Sequence, residues 1–221
     1  MSAASYASSD GIKAYTRLGL HLYDPLIVGV LARYVWDCPA EAFIDHYRQH
    51  VTGNHADIGV GTGYCLDRCG FDTPEPRIGL IDLQPNCLEF TANRLARYRP
   101  QVYLRDACRP LVGIDPFDSI ALGGILHCLP GDMAQKCRVF DSLRPICRSG
   151  ARIFGFTLVN DAIPDRTARR LAYRGLNGLR VINCMSDTAE ELRQSLAARY
   201  VEHTVELIGC FAFFSARATT H

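Results

Sequence analysis

The chain has 221 residues, enough for one α/β domain with a full core or one domain carrying a helical cap, and too few for two independent domains. Its 24 Lys and Arg balance 23 Asp and Glu, so no net field gathers a polyanion, which excludes nucleic acid as the main partner. Ten cysteines lie scattered without a C-x-x-C pair, which argues against a zinc knuckle and for reduced, core-filling thiols.

The opening ten residues are small and polar and lack the basic start and apolar run of a secretory signal, so the expected location is the cytoplasm. The most apolar early stretch, Leu18 to Trp36, is interrupted by Asp24, Pro25 and Arg33 and is not read as a membrane span. Helical segments are expected around 11–35 and 39–51, parted at Asp37 to Pro39 because proline disfavours helix in the residue before it. Leu18, Leu22 and Leu26 give the first of these an apolar face, and Asp24-Pro25 offers a bend. Tyr15, Tyr23 and Trp36 either pack as ordinary core or line an N-terminal helical lid formed within residues 1–50.

Short apolar runs at 55–60, 77–82, 101–105, 117–123 and 151–159 then alternate with helix-compatible stretches at 63–70, 85–98 and 132–144, the pattern of a parallel sheet covered on both faces. These make up a core at 51–160. An Arg-rich segment follows, with Arg166, Arg169, Arg170, Arg174 and Arg180, either a solvated helix face or, within 161–185, a substrate cap suited to an acidic acceptor. From 186 to 221 the reading is a helix opened by the capping-box pair Thr188 and Glu191, then strands at 200–207 and 210–216 joined at Ile208-Gly209 as an antiparallel hairpin.

The central motif is Asp57-Ile58-Gly59-Val60-Gly61-Thr62-Gly63, where a buried strand runs into a helix. Its glycines allow a sharp turn and close approach of a ligand, but they are out of register with the G-x-G-x-x-G of a dinucleotide site. Asp57 would also repel a doubly negative pyrophosphate and favours a cationic ligand end. Asp82 ends the next strand, where two carboxylate oxygens can accept both hydroxyls of a ribose. Asp106, one βα unit further on, can accept from an adenine amino group while the Ala107 N–H donates to the ring.

Together with Phe117-Asp118-Ser119-Ile120-Ala121-Leu122 and the run Gly124-Ile125-Leu126-His127-Cys128-Leu129-Pro130, these features resemble the class I S-adenosylmethionine-dependent methyltransferases. The last run is similar to the "L-H-x-L-P" segment of the ubiquinone/menaquinone-type and natural-product branches. The resemblance implies a Rossmann-like seven-stranded sheet in the order 3-2-1-4-5-7-6 with strand seven antiparallel. It implies S-adenosylmethionine as cofactor, S-adenosylhomocysteine as product, and a small-molecule acceptor. By carry-over Asp57, Gly59, Gly61 and Gly63 hold the methionine part, Asp82 with neighbouring Leu83 the ribose side, and Asp106 with Ala107 the adenine. The backbone near Leu122 and Gly123 faces the sulfonium end, and Tyr23 and Trp36 approach the cofactor from the lid. His127 is the candidate catalytic residue, as a general base, with pocket shaping as its alternative role.

Leu122-Gly123-Gly124-Ile125 stands where amino-methylating DNA and glutamine enzymes carry Asn/Asp-Pro-Pro-Tyr, which argues against those substrates. No carboxylate lies between Asp118 and Asp132, so no metal site is expected. The expected function is metal-independent methyl transfer to a natural-product, quinone-like, carboxylic or phenolic acceptor. The alternatives are a module that holds the cofactor without transferring methyl, and a nicotinamide-dependent reductase, which would need the fingerprint missing here.

Overall fold

The computed structural model describes Leu20 and residues 24–165 and 167–218. Tyr15, Tyr23 and Arg166 lie outside the described residues, as do residues 1–19 and 21–23 of the expected lid. The described elements begin with a π-wound entry helix, Asp24–Val35, followed by α1 (Ala40–His50), β1 (Asn54–Ile58), α2 (Tyr64–Cys69), β2 (Arg77–Asp82), α3 (Pro85–Arg94), β3 (Gln101–Leu104) and β4 (Phe117–Gly123). Then come α4 (Met133–Lys136), α5 (Val139–Ser142), β5 (Cys147–Leu158), α6 (Ala168–Gly178), α7 (Ala189–Ala197), β6 (His203–Ile208) and β7 (Phe211–Arg217).

The seven strands form one sheet in the order β3-β2-β1-β4-β5-β7-β6. Pairing is parallel from β3 to β5, while β7 runs antiparallel to both β5 and β6. Strand side chains alternate between faces. Ile120 and Leu122 enter a core with Phe140, Leu143, Leu192 and Phe214, whereas Ala121 joins Tyr47, Leu66, Leu80 and Phe154 on the opposite face. A third cluster, including Trp36, Phe43, Tyr173, Ile182 and Phe211, gathers where β5 ends and β7 begins and carries the entry helix.

Several local expectations change in detail. β5 begins at Cys147, earlier than the apolar run, because Cys147 pairs with Phe117 before a register shift between Phe117 and Ser119. The 132–144 stretch opens with a reciprocal capping box between Asp132 and Gln135, then tightens to a three-residue bond from Phe140 N–H to the Cys137 carbonyl and divides into α4 and α5. Thr188 and Glu191 form the anticipated capping box of α7. Leu26 does not lie on the domain: it is 54% exposed, and Ile27, Val28 and Leu31 turn inward instead. Leu18 and Leu22, the other members of the expected face, lie outside the described residues. All ten cysteines are free thiols, six of them buried. No helix among the described residues is long and apolar enough to cross a membrane.

Candidate active site

A cavity of about 330 Å³ opens at the carboxyl ends of β1, β2 and β4, the edge at which open parallel sheets take their ligands. Asp57, Gly59, Gly61, Gly63, Asp82, Leu83, Asp106, Ala107, Gly123, His127 and Trp36 all line it. Leu122 does not. It is wholly buried, and strand alternation sends its side chain into the core on the far face.

The glycine turn separates two roles that its sequence leaves merged. A Cβ at Gly63, which has φ +68°, would come within 2.5 Å of the Thr91 side chain, so this glycine lets α3 pack close. A Cβ at Gly61, φ +50°, would meet nothing within 4 Å. That open space beside a left-handed backbone is where a ligand can approach the chain.

Asp57 is 3% exposed, and the Tyr47 hydroxyl donates to its Oδ1 at 3.2 Å. Burial drives the Asp57 carboxyl from its ordinary value up to about 8, opposed by the Tyr47 bond and assisted by nearby Asp82. A buried acid held this way recovers its charge when a cation is placed beside it. Burial also raises the Asp82 carboxyl, while backbone N–H groups pull it back; the Gln84 N–H donates to its Oδ1 at 2.8 Å. Asp106 Oδ1 accepts from the Cys108 N–H at 2.9 Å, which orients the acid at the turn after β3.

His127 sits in a short 3₁₀ turn, Leu126–Cys128, after β4. Its Nδ1 accepts the Leu158 N–H at 3.2 Å, with Thr157 Oγ1 at 3.3 Å. A backbone N–H can only donate, so Nδ1 is an acceptor and the neutral ring carries its proton on Nε2. Burial, and then the charge of Lys136, lower the ring's basicity to about 3.

The far half of the cavity is apolar. Ile27, Leu31, Phe156, Leu176, Ile182 and Phe211 contribute to it, so the 161–185 segment does supply part of the wall. Its arginines do not. Arg169 pairs with Asp37 at 3.3 Å, and Arg170 with Asp165 at 3.1 Å and with the Ile163 carbonyl; none of Arg169, Arg170, Arg174 and Arg180 lines the cavity. The acidic-acceptor reading of these arginines therefore loses its basis.

Three features escaped the sequence. Tyr47 comes from α1, outside any motif, and its hydroxyl also occupies the space a side chain at Gly123 would take. Asp24 Oδ1 accepts from Thr62 Oγ1 at 2.6 Å and its Oδ2 pairs with Arg94 at 2.6 Å, while Arg94 Nη1 donates to the Thr62 carbonyl at 2.7 Å. This latch ties the entry helix to the glycine turn. Lys136 and Asp187 form a fully buried ion pair at 2.5 Å, and Lys136 also bonds the Asn183 carbonyl. The Asn183 N–H in turn donates to the His127 carbonyl at 2.7 Å. Among the described residues no group of three or more His, Cys, Asp and Glu could hold a metal ion.

The sheet order, the antiparallel seventh strand and the acid-lined glycine turn are those of the class I methyltransferase fold. Residues 56–153 match the family model described as a methyltransferase domain. The chain is 31% identical to demethylluteothin O-methyltransferase of Streptomyces thioluteus, over 95% of this chain and 92% of that one. It is 28% identical to the physcion biosynthesis cluster O-methyltransferase of Aspergillus chevalieri, over 93% and 94%. Among solved structures, the S-adenosylhomocysteine complex of DhpI superposes with a TM-score of 0.68 at 15% identity, over 96% of this chain and 97% of that one. The chain belongs to this methyltransferase family.

Proposed function

We propose that this single-domain chain is a metal-independent O-methyltransferase that modifies the hydroxyl of a small, largely apolar metabolite, working in the cytoplasm and not on nucleic acid. S-Adenosylmethionine-dependent methyl transfer to a small molecule is the activity of its family. The oxygen as target and the natural-product class of acceptor are suggested by the two O-methyltransferases to which it is similar. The observation that carries the reading is the open cradle at Gly61 beside buried Asp57, continuous with an apolar chamber that His127 lines.

When bound, the cofactor supplies an electrophilic methyl on a sulfonium. Asp57, held by Tyr47, offers its carboxylate to the methionine ammonium across the turn at Gly59 and Gly61. Asp82 and Leu83 take the ribose side, and Asp106 with Ala107 the adenine. Gly123 and Trp36 border the methyl-donor end, and the apolar wall from the entry helix, α6 and β7 orients the acceptor and excludes water. Alignment of this kind can account for roughly 7–11 kcal/mol of a barrier. The contact roles and the domain limits of 1–50, 51–160, 161–185 and 186–221 are part of this proposal. Calorimetry with S-adenosylhomocysteine and with NADH tests it: the first should bind saturably and the second should not compete. Preferential NADH binding would overturn the cofactor assignment, and activity lost to EDTA and restored by Mg²⁺ would overturn metal independence.

A further inference from the structure

The geometry at His127 bears on the chemical state in which the acceptor enters. A general base must offer a lone pair to the hydroxyl it deprotonates. The Nδ1 lone pair of His127 is engaged by the Leu158 N–H at 3.2 Å, on a strand whose backbone is fixed by pairing with β4 and β7. Turning the ring to the other tautomer would set an Nδ1–H against that N–H, two donors facing each other in a buried site. The same conflict opposes a doubly protonated ring.

The surroundings do not favour a base either. Lys136, from α4, is the charged group acting on the ring, and it disfavours a second positive charge; its own partner is Asp187. β5 and β7 present Thr157, Leu158 and Phe211, none of which carries charge. Tyr47 donates to Asp57, so both groups are committed to each other at the glycine turn. What the ring offers the cavity is an Nε2–H, a hydrogen-bond donor.

We propose, resting on the methyl-transfer reading above, that the acceptor enters as an oxyanion and that His127 is a donor to that oxyanion, not a base. The preferred substrates are then hydroxyls acidic enough to ionise in water near neutrality, namely enols of 1,3-dicarbonyl type and phenols bearing electron-withdrawing groups. The proton leaves to solvent before binding. In the transfer an oxygen lone pair forms the O–CH₃ bond as the S–CH₃ bond breaks, and the departing pair stays on sulfur, so no proton moves in the cavity. The anion's burial is compensated by the Nε2–H and by the sulfonium it approaches.

The test begins with ¹⁵N–¹H correlation of the histidine rings in full-length protein saturated with S-adenosylhomocysteine, assigned by His127→Gln and followed from pH 5 to 9. The proposal expects His127 protonated on Nε2 only, without titration. An Nδ1–H ring, or one that titrates in this window, overturns it whatever the assays give. In parallel, 4-hydroxy-2-pyrones, nitrophenols, phenol, an aliphatic alcohol and aniline are assayed with labelled S-adenosylmethionine. Rates should rise with pH and level off above each acceptor's own ionisation. His127→Ala should lose about 10- to 150-fold, and His127→Gln, which keeps an N–H, should recover part of it. Methylation of the alcohol or aniline in preference to the acidic hydroxyls overturns the proposal, as does a rate set by one pH midpoint common to all acceptors. Failure to bind S-adenosylhomocysteine marks the separate failure of the underlying reading.

Discussion

The Tyr47 hydroxyl donates to Asp57 Oδ1 across 3.2 Å, joining the helix before the sheet to the acid that opens the glycine turn. The pair keeps in the cavity an acid whose affinity for its proton is raised to about 8. In an unfolded chain an aspartate titrates at about 4, so the folded state binds this proton more tightly. Stability from the bound proton is full below about pH 4 and is lost as pH rises through about 8. Asp57→Asn removes that loss. The variant without ligand should melt higher than the parent at pH 8, by a larger margin than at pH 5, and should bind S-adenosylhomocysteine more weakly. A margin independent of pH between 5 and 8 would show that Asp57 does not titrate there.

Asp82→Asn should lower cofactor affinity about 10- to 150-fold, because hydrogen bonds to a charged acceptor become bonds to an amide. The fold should hardly change. Oδ1 already accepts the Gln84 N–H, so calorimetric loss much below tenfold would mean that the carboxylate serves the turn and not the ligand.

Much of this architecture is legible in the residues themselves. Strand-length apolar runs, the Asp57-to-Gly63 turn and the acids ending β2 and β3 follow from periodicity and spacing, which local physics enforces. Tyr47, the Asp24–Arg94 latch and the Lys136–Asp187 pair are not legible, because each joins residues distant in sequence and belongs to no repeated pattern. Strand alternation turns the Leu122 side chain away from the cavity, although its neighbour Gly123 lines the wall. The motif marks His127, but the assignment of its proton depends on the Leu158 N–H, which only the register of β5 brings near.

Arg94→Met tests the latch. With side-chain exposures of 20% for Arg94 and 14% for Asp24, the pair is partly screened, and its loss should cost about three- to tenfold in S-adenosylhomocysteine affinity. Trp36 is the chain's only tryptophan and lines the cavity, so its emission should shift on saturation in the parent. An Arg94→Met protein with unchanged affinity and the same emission change would leave the latch without influence on the site.

The buried Lys136–Asp187 pair should behave differently. Both side chains are fully buried, so Lys136→Met strands the Asp187 charge and should destabilise the protein by about 3–5 kcal/mol in urea unfolding. Adding Asp187→Leu should recover a large part of that loss, since two apolar groups replace the pair. Equal destabilisation in the single and double variants would show that Lys136 contributes through packing alone.

Transfer of methyl from S-adenosylmethionine to a hydroxyl of a small molecule, as proposed above, can be followed directly. The most direct measurement incubates the protein with methyl-labelled S-adenosylmethionine and a panel of phenolic and enolic acceptors, following label and S-adenosylhomocysteine together. S-Adenosylhomocysteine and labelled, O-methylated product should be released in equal amounts, and both should be lost in Asp82→Asn at limiting cofactor. Tight cofactor binding with conversion of an acceptor that gains no label and releases no S-adenosylhomocysteine would contradict methyl transfer.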